Sequence, residues 1–206
     1  MDLTVFLEPE INLERITHIL DGLGLAGRLD TIRAWDRPRL AALFEAAKGY
    51  KPIGLDHFVP TSVAPRTEVI HHGKNSFPAF SLFQQRFCRP SKDETTELWG
   101  FNRQDMEMWT GPGYFVARAA DDAGEVMIDY TRRPEALAGS NRGADGALAP
   151  EGWPDFAPSS ARLGRYVYGG TVDVVRGLSS HVSIGRARRG EAFMDAWFAL
   201  CREDAG

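Results

Sequence analysis

Two segments within the first fifty residues carry apolar side chains at the three- and four-residue intervals of a helix. Asn12 precedes the first segment and Asp36 the second, and both residue types cap helix N-termini. Pro38 suits the first turn of the second helix, and glycines follow both segments. The two stripes are Leu13, Ile16, Ile19, Leu20 and Leu23, then Leu40, Leu43, Phe44 and Ala47. The pattern therefore predicts a pair of helices within residues 1–50.

Residues 51–65 contain three prolines and show no sustained period, which predicts a loop that connects the helical part to the rest of the chain. A strand is predicted over residues 67–72. Ser76 can then cap a helix, and Pro78 suits its first turn. The stripe of that helix would be Phe77, Phe80, Phe83 and Phe87. The spacing predicts a helix over residues 77–87 that packs on a sheet.

From residue 97 onward the apolar period becomes two, which is typical of strands. Strands are predicted over residues 97–102, 113–119 and 125–130. The last two flank the sequence DDAG, whose aspartates and glycine suit a hairpin loop. Further strands are predicted over residues 165–168 and 181–187.

Three segments fit more than one interpretation. Residues 171–178 have Thr171 as a candidate cap and Asp173 in the first turn, which favours a short helix. Residues 194–201 fit a strand and a helical stripe equally, and the preceding turn favours the strand of a hairpin. Residues 132–162 are rich in Gly, Ala, Ser and Pro, which indicates a long surface loop, with a lid over a site as the alternative.

Helices first and strands after, without the alternation of a doubly wound fold, predict the α+β class. We expect a single domain over residues 1–206, in which residues 1–50 are helical and residues 51–65 connect. Residues 66–206 would form a curved antiparallel sheet of about six to eight strands. This sheet would pack on the 77–87 helix and enclose a barrel-like or cone-shaped cavity.

A formal net charge of -4 argues against a chain whose main task is to grip a nucleic-acid backbone. Arg186, Arg188 and Arg189 are explained as solvated charges at a hairpin tip. Neither a membrane nor secretion is expected, because no apolar stretch reaches roughly 20 residues and the N-terminus lacks the basic start of a signal peptide. Two cysteines, Cys88 and Cys201, are too few for a disulfide framework. We therefore expect reduced thiols and a cytoplasmic location.

The densest polar run is IHHGKNS, residues 70–76, at the predicted junction between a strand and a helix. Lys74 and Asn75, together with the backbone amides of the helix start, would suit a carboxylate or phosphate. His71 and His72 suggest a metal, but neighbouring side chains on a strand point to opposite faces. Since no spacing matches a metal signature, no metal ligand is predicted.

Acid–base chemistry needs titratable groups around a pocket, and a buried carboxylate there has a raised pKa suited to proton transfer. His72, Asp129 and His181 are the candidate catalytic residues. An ion pair between Asp129 and an arginine near the strand end is the structural alternative. The candidate ligand-binding residues are His71, Lys74, Asn75, Arg86, Asn102, Tyr114 and Tyr130.

These residues lead to one functional hypothesis and two alternatives. The hypothesis is a small-molecule-binding domain, with acid–base catalysis in a pocket lined by His, Asp, Tyr and Arg side chains. A non-catalytic module that binds another protein is the first alternative, and a metal-dependent hydrolase is the second. No motif in the sequence points to a particular cofactor.

Overall fold

The computed structural model describes residues 11–78, 81–90, 96–103, 113–120, 124–132, 149–154 and 170–204. Within these ranges, helices precede strands. The helices are α1 Leu13–Gly22, α2 Leu25–Arg33, α3 Arg37–Ala46 and α4 Leu55–Phe58. The strands are β1 Val69–Asn75, β2 Leu82–Cys88, β3 Glu97–Arg103, β4 Gly113–Ala119, β5 Glu125–Asp129, β6 Thr171–Gly177, β7 Val182–Arg189 and β8 Ala192–Arg202.

These strands close into a barrel. Each strand pairs antiparallel with the next one in sequence, and β8 returns to pair with β1. In this closing ladder His72 lies opposite Cys201 and Gly73 lies opposite Leu200. Closure pairs both edges of the sheet, which would otherwise be free to associate with other strands. The predicted order of N-terminal helices and an antiparallel, barrel-like sheet is confirmed at this level.

The predicted helix caps form in the structure. The Asn12 side chain accepts a hydrogen bond from the backbone N–H of Arg15 at 2.9 Å, and the Asp36 side chain accepts one from Arg39 at 2.9 Å. Each cap satisfies one of the donors that a helix N-terminus leaves without an intrahelical partner.

Helices α1, α2 and α3 pack on the outer face of the barrel. Helix α2 was not predicted, because it buries Arg28 and Thr31 together with Ile32 and so lacks an apolar stripe. The Arg28 guanidinium donates to the carbonyl oxygen of Leu23 at 2.9 Å, which offsets part of the cost of its burial. The buried residues between helices and strands are Ile16, Ile19, Leu20, Ile32, Trp35, Leu40, Leu43, Phe44, Ala47, Val174, Leu178, Val182, Ile184, Trp197, Ala199 and Cys201.

The predicted helix over residues 77–87 is wrong, since residues Leu82–Cys88 form strand β2. Two residues four positions apart share a face of a helix and equally share a face of a strand, so the spacing of Phe83 and Phe87 fits both. Pairing of β2 with β1 and β3 decides for the strand. Phe77 lies beyond the strand and is 53% exposed, and Phe80 lies outside the described residues.

The short helix predicted over residues 171–178 is also wrong, since this segment forms β6. Thr171 and Asp173 share the inner face with Val175, while Val172 and Val174 lie on the other face. Valine favours strands because its branched side chain packs well on a pleated surface. Pairing with β5 and β7 on both sides outweighs the local cap signal.

The ambiguous segment 194–201 lies in β8, as predicted. Strands β3, β4, β5 and β7 lie close to their predicted bounds. The connecting segment 51–65 contains helix α4, which was not predicted. The strand predicted over residues 165–168 and most of the 132–162 loop lie outside the described residues. None of the helices among the described residues combines the length and apolar content needed to cross a membrane.

Helix α4 covers one end of the barrel, called the plugged end below. The Phe58 ring lies in the interior and stacks on His71, with ring centroids 5.3 Å apart. Arg89 holds the segment after α4 by donating to the carbonyl oxygens of Val59 at 2.9 Å and Val63 at 2.8 Å. The opposite end, at which β5 ends and β6 begins, is called the far end.

Cross-strand pairs of glycine and phenylalanine fill much of the interior. The pairs are Gly73 with Phe83, Gly100 with Phe115, and Gly185 with Phe198. Each ring lies over its glycine so closely that an added Cβ would stand 2.2–2.3 Å from a ring carbon. The rings therefore fit only because the opposite residue has no side chain.

Gly185→Ala should destabilise the barrel by about 1 to 3 kcal/mol, because the added methyl group overlaps the Phe198 ring. In a Phe198→Leu background the same substitution should cost less, since the smaller side chain leaves room. Urea unfolding of both single variants and the double variant gives the coupling free energy. Gly24→Ala, where a Cβ meets nothing within 4 Å, is the control, and strictly additive penalties would contradict the packing.

Candidate functional site

Five polar side chains face the barrel interior toward its far end. Each shares a strand face with apolar residues of the interior, as Gln85 does with Phe83 and Phe87. Successive side chains of a strand point to opposite faces of the sheet, so every second residue faces the interior. The five residues, called the interior polar cluster below, are Gln85, Asn102, Tyr130, Thr171 and Asp173.

The hydroxyl of Tyr130 is the centre of this cluster. It accepts a hydrogen bond from the Gln85 amide at 2.9 Å and one from the Asn102 amide at 3.0 Å. Both lone pairs of the phenol oxygen are thereby used. The Tyr130 hydrogen is then available to the Asp173 carboxyl, with which it forms a hydrogen bond, and to Asn102 Oδ1 at 3.3 Å.

Asp173 is a buried carboxyl, with only 6% of the residue exposed. Burial disfavours its charged form and raises its pKa to about 7, and the hydrogen bond from Tyr130 opposes that rise. No Lys or Arg among the described residues forms an ion pair with it. Asp173 can therefore both accept and donate a proton near neutral pH.

His71 lies directly across from Gln85 in the β1–β2 ladder. Its Nε2 is 3.0 Å from the carbonyl oxygen of Phe58, which can only accept, so Nε2 carries the hydrogen and Nδ1 is left as an acceptor. Burial lowers the pKa of His71 to about 3, and the bond to Phe58 raises it only in part. The ring is therefore neutral at physiological pH.

Hydrogen-bond acceptors remain without a partner in this interior. Among the described residues, Gln85 Oε1, Thr171 Oγ1 and His71 Nδ1 are buried and make no hydrogen bond. Gln85 is 1% exposed and Thr171 is 6% exposed, so bulk water does not reach them freely. A buried polar atom in this state costs free energy unless another molecule completes it.

The three predicted catalytic residues do not come together. His72 points outward and contacts Glu203 Oε1 at 2.7 Å, and His181 contacts Asp204 Oδ1 at 3.2 Å. Asp129 lies on β5, on the far side of the barrel from β1, and accepts from the Thr131 backbone N–H at 2.9 Å. Asp129 therefore stabilises the turn after β5, and Arg118 is its ion-pair partner, at 3.7 Å.

Lys74 and Asn75 lie at the end of β1, so the predicted junction with a helix is wrong. The Lys74 ammonium donates to the carbonyl oxygen of Asn75 at 3.1 Å, and the Asn75 side chain accepts from the Phe77 backbone N–H at 3.0 Å. Without a helix start, the backbone amides that the anion site required are missing from this segment.

Arg86 and Tyr114 lie on the outer wall of the barrel. Arg86 forms an ion pair with Glu68, and Tyr114 donates to the carbonyl oxygen of Pro154. Arg86 borders an outer cleft of about 370 Å³ between the sheet and residues 150–154. The cleft is lined by Glu68, Arg86, Phe101, Arg103, Pro150, Glu151, Gly152, Trp153 and Pro154.

Of the predicted ligand-binding residues, the structure thus brings together Asn102 and Tyr130, with His71 beside them. Sequence reasoning missed Gln85, Thr171 and Asp173, because β2 and β6 were interpreted as helices. The alternation of polar and apolar residues at the start of TVDVV is a signal that could have found Thr171 and Asp173. The segment LFQQRF shows no such alternation, so no comparable signal marks Gln85.

No group of three or more His, Cys, Asp or Glu side chains among the described residues is arranged to hold a metal ion. No protein-family model, curated protein or solved structure matches the chain. The chemistry of the site therefore has to be derived from its own residues.

Asp173→Asn should change how stability depends on pH. Because the pKa of Asp173 is raised to about 7 in the folded state, the unfolded state loses its proton first as the pH rises. The wild type should lose up to about 4 kcal/mol relative to the variant between pH 4 and pH 7, and no more above that. Urea unfolding of both proteins from pH 4 to pH 8.5 measures this, and parallel profiles would exclude a buried, titrating Asp173.

His71→Gln should have the opposite effect. The unfolded chain binds a proton at His71 as the pH falls below about 6.5, whereas the folded chain keeps the ring neutral down to about pH 3. The wild type should lose up to about 5 kcal/mol relative to the variant on acidification across that window. The amide of glutamine can still donate to Phe58. Equal acid sensitivity of both proteins in urea unfolding would show that His71 is not buried as a neutral base.

Proposed function

We propose that the chain binds a small organic molecule at the interior polar cluster and that Asp173 transfers a proton there. The observation that carries the proposal is a buried carboxyl without an ion-pair partner among the described residues, bonded to a phenol that two amides hold in place. Residues whose pKa is strongly perturbed by burial inside an enclosed site are candidates for proton transfer.

Each residue of the cluster has a distinct role in this proposal. Asp173 is the acid or base, since both of its protonation states are populated near neutral pH. Tyr130 is a positioning residue that fixes the carboxyl and favours its charged form. Gln85 and Asn102 orient the Tyr130 hydroxyl through their amide groups. His71 borders the cluster as a neutral acceptor.

The outer cleft supports a binding function less well. Arg86, one of the two arginines that line it, forms an ion pair with Glu68, and Trp153 Nε1 donates to the same carboxylate at 2.7 Å. A second carboxylate, Glu151, also lines it. Both terminal guanidinium nitrogens of Arg86 are therefore bonded, to Glu68 and Gln84, and only its Nε lacks a partner. In the interior, three acceptors of described residues have no partner.

Tyr130→Phe should raise the pKa of Asp173 further, because the hydrogen bond that favours the carboxylate is removed. The midpoint can be followed by NMR of the aspartate carboxyl carbons in the wild type, Tyr130→Phe and Asp173→Asn. We expect a transition near pH 7 that moves upward in Tyr130→Phe and disappears in Asp173→Asn. If the titration midpoint of Asp173 is the same in Tyr130→Phe and in the wild type, Tyr130 is not a positioning residue.

Native mass spectrometry of the purified protein tests ligand binding directly. A retained small molecule should be present on the wild type and lost or weakened in Asp173→Asn. The control is Asp195→Asn, which removes an exposed carboxylate of the outer wall. Retention that is equal in both variants would place the ligand elsewhere.

A further inference from the structure

The ligand class follows from the hydrogen-bonding character of the interior polar cluster, and this inference rests on the proposed function. Among the described residues, the polar atoms of the cluster that lack a partner are Gln85 Oε1 and Thr171 Oγ1. The first can only accept, and the second is a hydroxyl that can accept. Asp173 adds a carboxyl that is hydrogen-bonded to the Tyr130 hydroxyl. The interior polar cluster therefore presents hydrogen-bond acceptors, and a ligand that fits it would carry hydrogen-bond donors.

These three acceptors lie around one residue. Gln85 donates to Tyr130 Oη at 2.9 Å, and the Tyr130 hydroxyl is bonded to Asp173. The Tyr130 backbone N–H donates to the carbonyl oxygen of Thr171 at 3.1 Å. Thr171 and Asp173 are two positions apart and share the inner face of β6. The three acceptors therefore belong to residues that contact Tyr130, either at its hydroxyl or at its backbone.

The charge balance of the site calls for a cation. A buried carboxylate is costly unless it is paired, and no described Lys or Arg pairs with Asp173. Arg202 lies across from His71 in the β1–β8 ladder and donates to the Ser180 carbonyl oxygen at 3.1 Å, toward the plugged end. Burial raises the pKa of Asp173 and the hydrogen bond from Tyr130 lowers it, and Arg202 is not among the groups that shift it. Since no described side chain supplies a positive charge to this carboxylate, a cationic ligand would supply it.

Aromatic rings complete the surroundings. The Phe115 ring contacts Tyr130 with centroids 5.4 Å apart, and Phe87 contacts both Phe115 at 5.0 Å and His71 at 4.8 Å. The faces of such rings attract cations and receive apolar groups. His71 is neutral near pH 7, because burial lowers its pKa to about 3, and it therefore adds no positive charge.

We propose that the interior polar cluster binds the protonated amino group of a small organic amine, with Asp173 as its counter-ion. A primary ammonium group has three N–H donors and no acceptor, which matches Asp173, Gln85 Oε1 and Thr171 Oγ1. The apolar part of the amine lies against Phe87 and Phe115. Binding converts Asp173 to its carboxylate, so a proton leaves the site at any pH at which the free protein holds that proton.

Three probes of similar size test the charge requirement: benzylamine, benzyl alcohol and benzoate. Their binding is measured by calorimetry and by shifts of the Gln85 and Asn102 side-chain amide signals in NMR. At pH 8 benzylamine should bind at least tenfold more tightly than benzyl alcohol, and benzoate should bind more weakly than either. Between pH 8 and pH 6 the affinity for benzylamine should fall about tenfold, since the ionised fraction of Asp173 falls with a pKa of about 7. Calorimetry at pH 6 in buffers of different ionisation enthalpy should detect the released proton.

Asp173→Asn should abolish the preference for benzylamine over benzyl alcohol, and Asp195→Asn should keep it. Should Asp173→Asn fail to fold, the pH dependence and proton release of the wild type decide the question alone. If benzyl alcohol binds as tightly as benzylamine, or benzoate binds more tightly, the ligand class is wrong while the small-molecule site stands. If none of the probes shifts the Gln85 and Asn102 signals, both the ligand class and the proposed site are refuted.

Discussion

Pairing between β1 and β8 is the constraint on which the other features depend, because it turns a sheet into an enclosed interior. A barrel of eight strands has an interior just wide enough for side chains to fill it or for one small ligand. Phenylalanine rings fit into so narrow a space where the opposite strand offers glycine, as Phe198 does over Gly185. The same enclosure removes Asp173 from water, which is the physical cause of its raised pKa.

The interior polar cluster is costly for folding. A stable barrel would be served by apolar residues at these positions, since buried polar groups stabilise only when they are bonded. Val175 stands on the same face of β6 two residues beyond Asp173 and is fully buried in the apolar part of the interior. A functional role accounts for the carboxyl and the acceptors that the chain keeps at the far end. Under the proposed function, the chain gives up stability at the far end of the barrel in return for a polar site, while Phe58 fills the plugged end.

The sequence predicted the elements whose signals are local. Asn12 and Asp36 cap helices because a side-chain oxygen is all that the helix start requires. The prediction was wrong where neighbouring strands determine the secondary structure. The spacing of Phe83 and Phe87 fits both a helix and a strand, and only pairing with β1 and β3 selects the strand. Asn102 and Tyr130 were predicted as ligand-binding residues, and the structure places both in the interior polar cluster, on β3 and directly after β5, two strands that were predicted correctly. Gln85 and Asp173 were missed because their strands were not predicted. Pairing of β5 with β6 brings Asp173 to Tyr130, and the curvature of the barrel brings Gln85 there from β2. Neither contact can be predicted from the sequence of a single segment.

A crystal structure of the protein as purified, with ordered water resolved, tests the central claim most directly. The claim predicts electron density for a non-protein molecule in contact with the Asp173 carboxyl and Gln85 Oε1. Density for water alone at those atoms would contradict it. The claim would also be contradicted if other side chains of the protein donated hydrogen bonds to Gln85 Oε1, Thr171 Oγ1 and the Asp173 carboxyl.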